Sequence, residues 1–449
     1  MALAMIRFRA IFAAGLLVGI SGCAGYAPMP LASSPPQMDL ASLSRGAAAI
    51  DRPFLDPTTI DLARPLDDNA IAVLAVLGNP DLKAMRAKAG VADAQAFAAR
   101  LLPDPTLSAG IAPLLSGPDP AGEIAGALGL DLNALRTHGV RVQQAKAQAA
   151  QVRLDLVWAE WQTAGAARLQ AARIRGLEAS LPLLAANAGR ARSLLERTGR
   201  ATARGDLAAD ALVTAQTAEA DARGKLLTAR HDLEAARFEL ARLLGLPPGT
   251  RLSLAPGREQ AVVPDADHLF RIALANRADL HALKAGYDAQ EAAVHKAVLD
   301  QFPNLGLSIG ATRDTSRNLT LGPTIDFTLP LWNRNRGGIA VERATRSELK
   351  AEYEARLLQT RAEIAAAVAD VALARQQRGT IAAALPGLAH SAEASRRAAD
   401  HGDISAAAAA AAEAALADRQ AAVIAADQSI DEATVALELL TGVPEKDWQ

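Results

Sequence analysis

One side chain in this 449-residue sequence is placed for a covalent reaction: Cys23, at the end of the run Ile20-Ser21-Gly22-Cys23. A thiol behind small residues suits acylation followed by cleavage just before it, the pattern of a bacterial lipobox. Cys23 is the only cysteine, so no intramolecular disulfide can form, and a lone free thiol would be out of place in a secreted chain. Arg7 and Arg9 give a basic start, and residues 10–20 give an apolar run too short to span a bilayer as a helix. Residues 1–22 therefore read as a lipoprotein signal peptide, with Cys23 as the lipidated mature N-terminus. Ala24 stands where an inner-membrane lipoprotein would carry Asp, which points to the outer membrane.

No other constellation carries chemistry. The seven histidines, at 138, 231, 268, 281, 295, 390 and 401, are scattered and form no His-x-x-x-His or Cys-His set. No glycine-rich phosphate loop follows a strand. The expectation is a chain with no metal, no cofactor and no catalytic residues, hence no enzyme. A net charge of −2 leaves no basic footprint for nucleic acid.

Function must then come from architecture, and the chain states its architecture twice. Asn79-Pro80-Asp81-Leu82 returns as Arg277-Ala278-Asp279-Leu280. Leu102-Pro103-Asp104-Pro105 returns as Phe302-Pro303-Asn304-Leu305, Arg204-Gly205-Asp206-Leu207 as His401-Gly402-Asp403-Ile404, and Leu244-Gly245-Leu246-Pro247 as Thr441-Gly442-Val443-Pro444. Four landmarks in one order, offset by about 197–200 residues, define a tandem pair of one large unit. Aromatics make up only 3% of the chain, too few for several conventional cores. The Ala-, Leu-, Glu-, Gln- and Arg-rich middle stretches favour long helices.

The expected plan is an extended arm at 23–66 with little secondary structure, a first repeat at 67–250, a second at 251–444 and a tail at 445–449. Each repeat opens with a short helix, ended at Gly78 in the first copy. A second helix follows, capped by Asn79 with Pro80 at its first position, and stopped by Pro103 or Pro303. The period then changes to two. Leu305, Leu307 and Ile309 alternate with Gly306, Ser308 and Gly310; Leu319, Leu321, Ile325, Phe327 and Leu329 alternate with polar residues. The first copy matches with Leu107, Ala109, Ile111, Ile124, Leu128, Leu130 and Leu132. These are β-hairpins, at about 104–134 and 303–331, each with an apolar and a polar face. Two hairpins are too few to close a barrel alone, whereas three chains would supply twelve strands.

Long helical hairpins follow, at about 138–244 and 337–441. Ala222, Leu226, Ala229, Leu233, Ala236, Leu240 and Leu243 step by alternating fours and threes, a heptad seam. An outgoing helix of about 65 residues is roughly 97 Å long, and the return of about 39 residues only roughly 58 Å. The helix before the hairpin supplies the missing length if stacked on the return, so each repeat should make one long strut and one composite strut. Pro182 and Pro386 lie inside the long helices and should kink them.

With Cys23, the doubled plan and the run Phe327-Thr328-Leu329-Pro330-Leu331-Trp332-Asn333-Arg334-Asn335-Arg336-Gly337-Gly338 in view, the chain resembles the outer-membrane factor (TolC-like) family of tripartite efflux and type I secretion systems. The resemblance covers residues 68–444. It implies a mostly α fold with a membrane β-barrel: a homotrimer, a twelve-stranded barrel in the outer membrane and an α-helical tunnel across the periplasm. It implies a passive exit duct, with a periplasmic adaptor, an inner-membrane pump and outer-membrane lipid as partners. Phe302, Phe327 and Trp332 are the candidates for an interfacial aromatic belt.

The resemblance also implies that the hairpin tips close the tunnel. Asp206, Asp210, Asp400 and Asp403 become candidate acidic gate residues, Arg197, Arg200 and Arg204 their candidate partners, and Gly205 and Gly402 the turns. Helix capping is the plainer role for Asp206 and Asp403, since each follows a Gly and precedes a helix. The alternatives are a periplasmic adaptor, which has one helical hairpin between lipoyl-like halves, and a coiled-coil scaffold, which needs no two-faced strands. Cargo is not readable from these residues.

Overall fold

Short polar side chains set where several helices of this protein begin. In the computed structural model, which describes residues 25–31, 33, 40–113, 115–116, 122–257 and 262–449, the Asp67 carboxylate accepts from Ala70 N at 2.7 Å and starts α2 (Asp68–Gly78). The signal segment, Cys23 and the 117–120 loop lie outside the described residues. Asn79 accepts from Asp81 N and Leu82 N at 2.9 and 3.1 Å and starts α3 (Pro80–Arg100). The strands β1 (Thr106–Ala112) and β2 (Glu123–Asp131) follow. Asp131 is both the last strand residue and the cap of α4 (Leu132–Ala203), accepting from Ala134 N at 2.9 Å. The long helix therefore starts earlier than its apolar pattern suggests, and Leu132 belongs to the helix rather than to the strand face expected of it.

The return helix α5 (Ala209–Leu244) ends at left-handed Gly245. The second repeat runs through α6 (Ala266–Asn276), α7 (Ala278–Leu299), β3 (Leu305–Arg313), β4 (Leu319–Phe327), α8 (Arg336–Ala383), α9 (Leu385–His401) and α10 (Ala406–Thr441). The two prolines behave differently. Pro182 sits inside the unbroken α4, whereas the second long helix stops at Ala384 and restarts with Pro386 in the first turn of α9, where its missing N–H leaves no bond unmade.

One expectation needs correction, and the tail adds an anchor that the sequence reading left undescribed. The arm at 23–66 is not simply extended: α1 (Leu40–Ala48) forms in it, and Leu43, Ala47 and Leu55 are buried. Leu66 then pairs with the segment after the first repeat, donating to Ser253 O at 2.9 Å and accepting from Ala255 N at 2.8 Å. The tail at 445–449 is likewise anchored. A 3-10 turn (Glu445–Asp447) delivers Trp448 into the core at 1% exposure, its Nε1 donating to Thr441 Oγ1 at 3.1 Å. Apolar side chains drive both outcomes, because each stretch carries surface worth burying.

α4 packs along α5 and α3 from its own repeat and along α10 and α7 from the second. The heptad seam of α5 is the packed face, with Ala222, Ala229, Leu233, Ala236, Leu240 and Leu243 all buried. Two core clusters occupy the girdle around the short helices. One joins Ala47, Leu55, Ala72, Val73, Val76 and Ala164; the other joins Leu269, Ala273, Ile364, Leu437 and Trp448.

Candidate functional site

The hairpins of the two repeats merge into one antiparallel sheet in the order β1-β2-β3-β4. Its register decides the two faces. Leu107 opposes Leu128, Leu128 opposes Ile309, Leu307 opposes Ile325 and Leu305 opposes Phe327, so the apolar side chains form one continuous face. The other face is small and polar: Ser108 opposes Ala127, Gly129 opposes Ser308, and Ser308 opposes Thr324. The apolar face stays in the open, with Leu107 and Ile111 each 78% exposed and Leu319 and Leu321 each 75%. β1 and β4 each have a free edge within the chain. An exposed apolar face with two free edges is an unfinished barrel, since only closure removes edges in lipid. Among the described residues no helix is long and apolar enough to cross a membrane.

At the opposite end of the long helices, both tips turn by the same device. Gly205 (φ 81°) and Gly402 (φ 85°) are left-handed, a conformation glycine adopts without steric cost. Asp206 N donates back to Ala201 O and Asp403 N to Ala398 O, each at 2.9 Å, and Gly205 N and Gly402 N close the inner bonds. This is the Schellman end of an outgoing helix. The capping role expected of Asp206 and Asp403 is therefore wrong: the return helices start later, at Ala208 without a side-chain cap and at Ser405, whose Oγ accepts from Ala408 N at 3.1 Å.

The candidate gate charges sort into two groups. Asp206 is held within its own chain, 2.8 Å from Arg204. Arg197, Arg200, Asp400 and Asp403 are exposed and have no ion-pair partner among the described residues, and Asp210 only accepts from Ala211 N. Arg197 and Asp400 line one groove, between α4 and the second tip.

The struts are spliced where return helices meet the helices of the hairpin side. Asn79 Nδ2 donates to Leu243 O at 3.0 Å while its Oδ1 caps α3, so one amide stitches two helix ends. The second splice uses a different residue. Arg277, 1% exposed, donates to Leu440 O at 3.2 Å, forks onto Asp279 at 2.7 and 3.0 Å, and stacks 4.9 Å from the Trp158 ring. Burial alone would push the Asp279 carboxyl up, but Arg277 and Arg356 together hold it below its usual range. Two further buried carboxylates brace the girdle. Glu160 is fully buried between Arg52 (2.5 Å) and Arg86 (2.7 Å). Glu438 pairs with Arg168 and accepts from Glu445 N at 2.7 Å; burial pushes its carboxyl up and Arg168 offsets only part of that. Sequence reading missed these roles. Nothing in the spacing of Glu160 or Glu438 separates them from solvated helix charges, and Arg277 stood out only as the departure from Asn79 in a repeat. Among the described residues no group of side chains could hold a metal ion.

Residues 269–443, nearly the whole second repeat, match the family model described as outer membrane efflux protein. The second repeat thus carries that family's sequence pattern. The solved structures it is similar to extend the match over the first repeat. The CmeC outer membrane channel of Campylobacter jejuni has 15% identity and a TM-score of 0.72, covering 94% of this chain and 95% of that one. The outer-membrane channel OprN has 18% identity and a TM-score of 0.70, covering 93% and 98%. The outer membrane protein VceC of Vibrio cholerae has 18% identity and a TM-score of 0.69, covering 84% and 96%. No curated protein matches the chain by sequence. The adaptor and scaffold alternatives give way: neither has a use for a four-stranded sheet with one apolar face.

Proposed function

We propose that this chain is an outer-membrane efflux channel, a passive exit duct of a tripartite system, with an adaptor at its tips and an inner-membrane pump as its source of energy. The observation that carries the reading is the two-faced sheet with free edges on β1 and β4, mounted on long helical struts. Three copies supply twelve strands, each β4 pairing with a neighbour's β1. The apolar face then meets lipid, and the other face, small residues and Thr with Glu123, Asp131 and Asp326 among them, lines a lumen. The duct itself does no chemistry. The native mass in mild detergent should be three times the chain mass, and truncating β1 should abolish the trimer. A stable water-soluble monomer would sink the reading.

In this reading Cys23 fastens each protomer to the outer membrane by its acyl chains. A single acyl chain binds membranes only marginally, whereas several together hold firmly. Mass spectrometry of the mature N-terminus should find triacylated Cys23, and Cys23→Ser should leave an uncleaved, unacylated chain. A mature protein that begins elsewhere without lipid would refute the anchor and leave the duct standing.

A further inference from the structure

We propose that residues 328–336 form an anchor for anionic phospholipid at the periplasmic rim of the barrel, with Trp332 in the leaflet interface and Arg334 and Arg336 on lipid phosphates. The inference rests on the duct reading, in which the apolar sheet face meets lipid.

The two repeats differ at this point. In the first, Asp131 ends β2 and caps α4, so strand passes directly into helix. In the second, β4 ends at Phe327 and α8 begins at Arg336, with the segment 328–335 between them. Its run Leu329-Pro330-Leu331-Trp332 is apolar, yet stays exposed among the described residues: Leu329 is 61% exposed, Leu331 62% and Trp332 91%. It continues the apolar face of β4 and stands at the same end of the barrel as Leu102 (66%) and Phe302 (52%). An indole is amphipathic and concentrates at membrane interfaces, where its ring meets acyl chains and its N–H meets headgroups.

The segment is also fixed. Thr328 N donates to Asn304 O, Arg336 N to Asn333 O, and Asn335 Nδ2 reaches Ala297 O at 2.8 Å. Arg334 and Asn335 are held left-handed at φ 45° and 50°, where side-chain-bearing residues rarely settle. That frame fixes the backbone at 328 and at 333–336, on either side of the exposed Trp332. Arg334 and Arg336 are exposed and have no acidic partner among the described residues. Guanidinium matches phosphate in shape and charge, and basic residues beside a bilayer prefer anionic headgroups. The exposed apolar run, its continuity with the lipid face and its unpaired cations thus fit one occupant, a phospholipid leaflet.

The test uses the full-length trimer in nanodiscs of phosphatidylcholine, alone or mixed with phosphatidylglycerol. Brominated phosphatidylglycerol should quench a fluorescence component that Trp332→Phe removes. Lipid retained on the trimer in native mass spectrometry should favour phosphatidylglycerol, and Arg334→Gln and Arg336→Gln should each cut that preference roughly fivefold. Lysine at either position should keep most of it, and every variant should still form conducting trimers. Unquenched Trp332 in conducting trimers would overturn the anchor and leave the segment facing water or another protein. So would an unchanged lipid preference in the Arg334→Gln/Arg336→Gln variant. If the wild-type protein fails to insert and conduct at all, the duct and the anchor fall together.

Discussion

Arg277→Ala should destabilise the folded protein by about 3–5 kcal/mol, while Asn79→Ala, at the matching place in the first repeat, should cost only about 1–3 kcal/mol. The two residues do one job, tying the last turn of a return helix to the start of the next strut. They differ in what is left behind. Removing Asn79 frees one carbonyl and one helix start. Removing Arg277 empties a fully buried site, releases the Trp158 face and strips Asp279 of its forked partner. Arg356, 3.0 Å from Asp279, keeps some compensation, which places the cost toward the lower end. Lysine should not restore it, because a point charge cannot reproduce the planar fork. Unfolding of the detergent-solubilised trimer, followed by circular dichroism in urea, measures both variants. Equal losses would show that the second splice does not depend on its ion pair.

The same site gives a pH dependence with a definite sign. Because the Asp279 carboxyl lies below its usual range when folded, its contribution is fully present above the unfolded value of about 4 and is lost as pH falls through the folded value. Glu438 runs the other way. Its raised carboxyl favours the folded state below the unfolded value, and that contribution is lost as pH rises through the folded value.

Most of the architecture was legible because it rests on periodic signals. Leu305, Leu307 and Ile309 could sit only on a two-faced strand, and the seam from Ala222 to Leu243 could only be a helix packed along another. The repeat fixed the order of elements, and unequal helix lengths implied the composite strut. Boundaries were less legible. Asp131 ends β2 and starts α4 at once, and alternation running through Leu132 hides that a cap has intervened. The arm misled, and the tail said nothing, for a different reason. Leu43, Leu55 and Trp448 are isolated apolar residues in polar, proline-bearing stretches, and only the girdle they fill makes them core. The helices do turn at the two glycines, but the sequence does not separate an Asp that closes a Schellman turn from one that opens the next helix. That distinction depends on which backbone N–H the chain turns inward, and Ser405 takes the cap instead of Asp403.

In the proposed trimeric duct, that distinction sets which charges are available to hold the tunnel shut. Asp206 is satisfied by Arg204 of its own chain, whereas Asp210, Asp400 and Asp403 have charges left for a neighbour, as do Arg197 and Arg200. Threefold symmetry repeats any contact between protomers three times. One exposed pair is worth roughly 0–1 kcal/mol, but three that break together bias closed against open by a few kcal/mol, and about 1.4 kcal/mol is already tenfold in population. We therefore expect Asp210→Asn/Asp400→Asn/Asp403→Asn trimers to conduct in planar bilayers at about tenfold higher open probability than wild type, with trimer mass unchanged. Asp206→Asn alone should change little. High salt should mimic part of the effect in the wild-type channel, because screening shortens the reach of exposed charges. If the triple variant conducts like the wild type while its trimers stay intact, these carboxylates do not gate, and closure must come from packing of the helices above them.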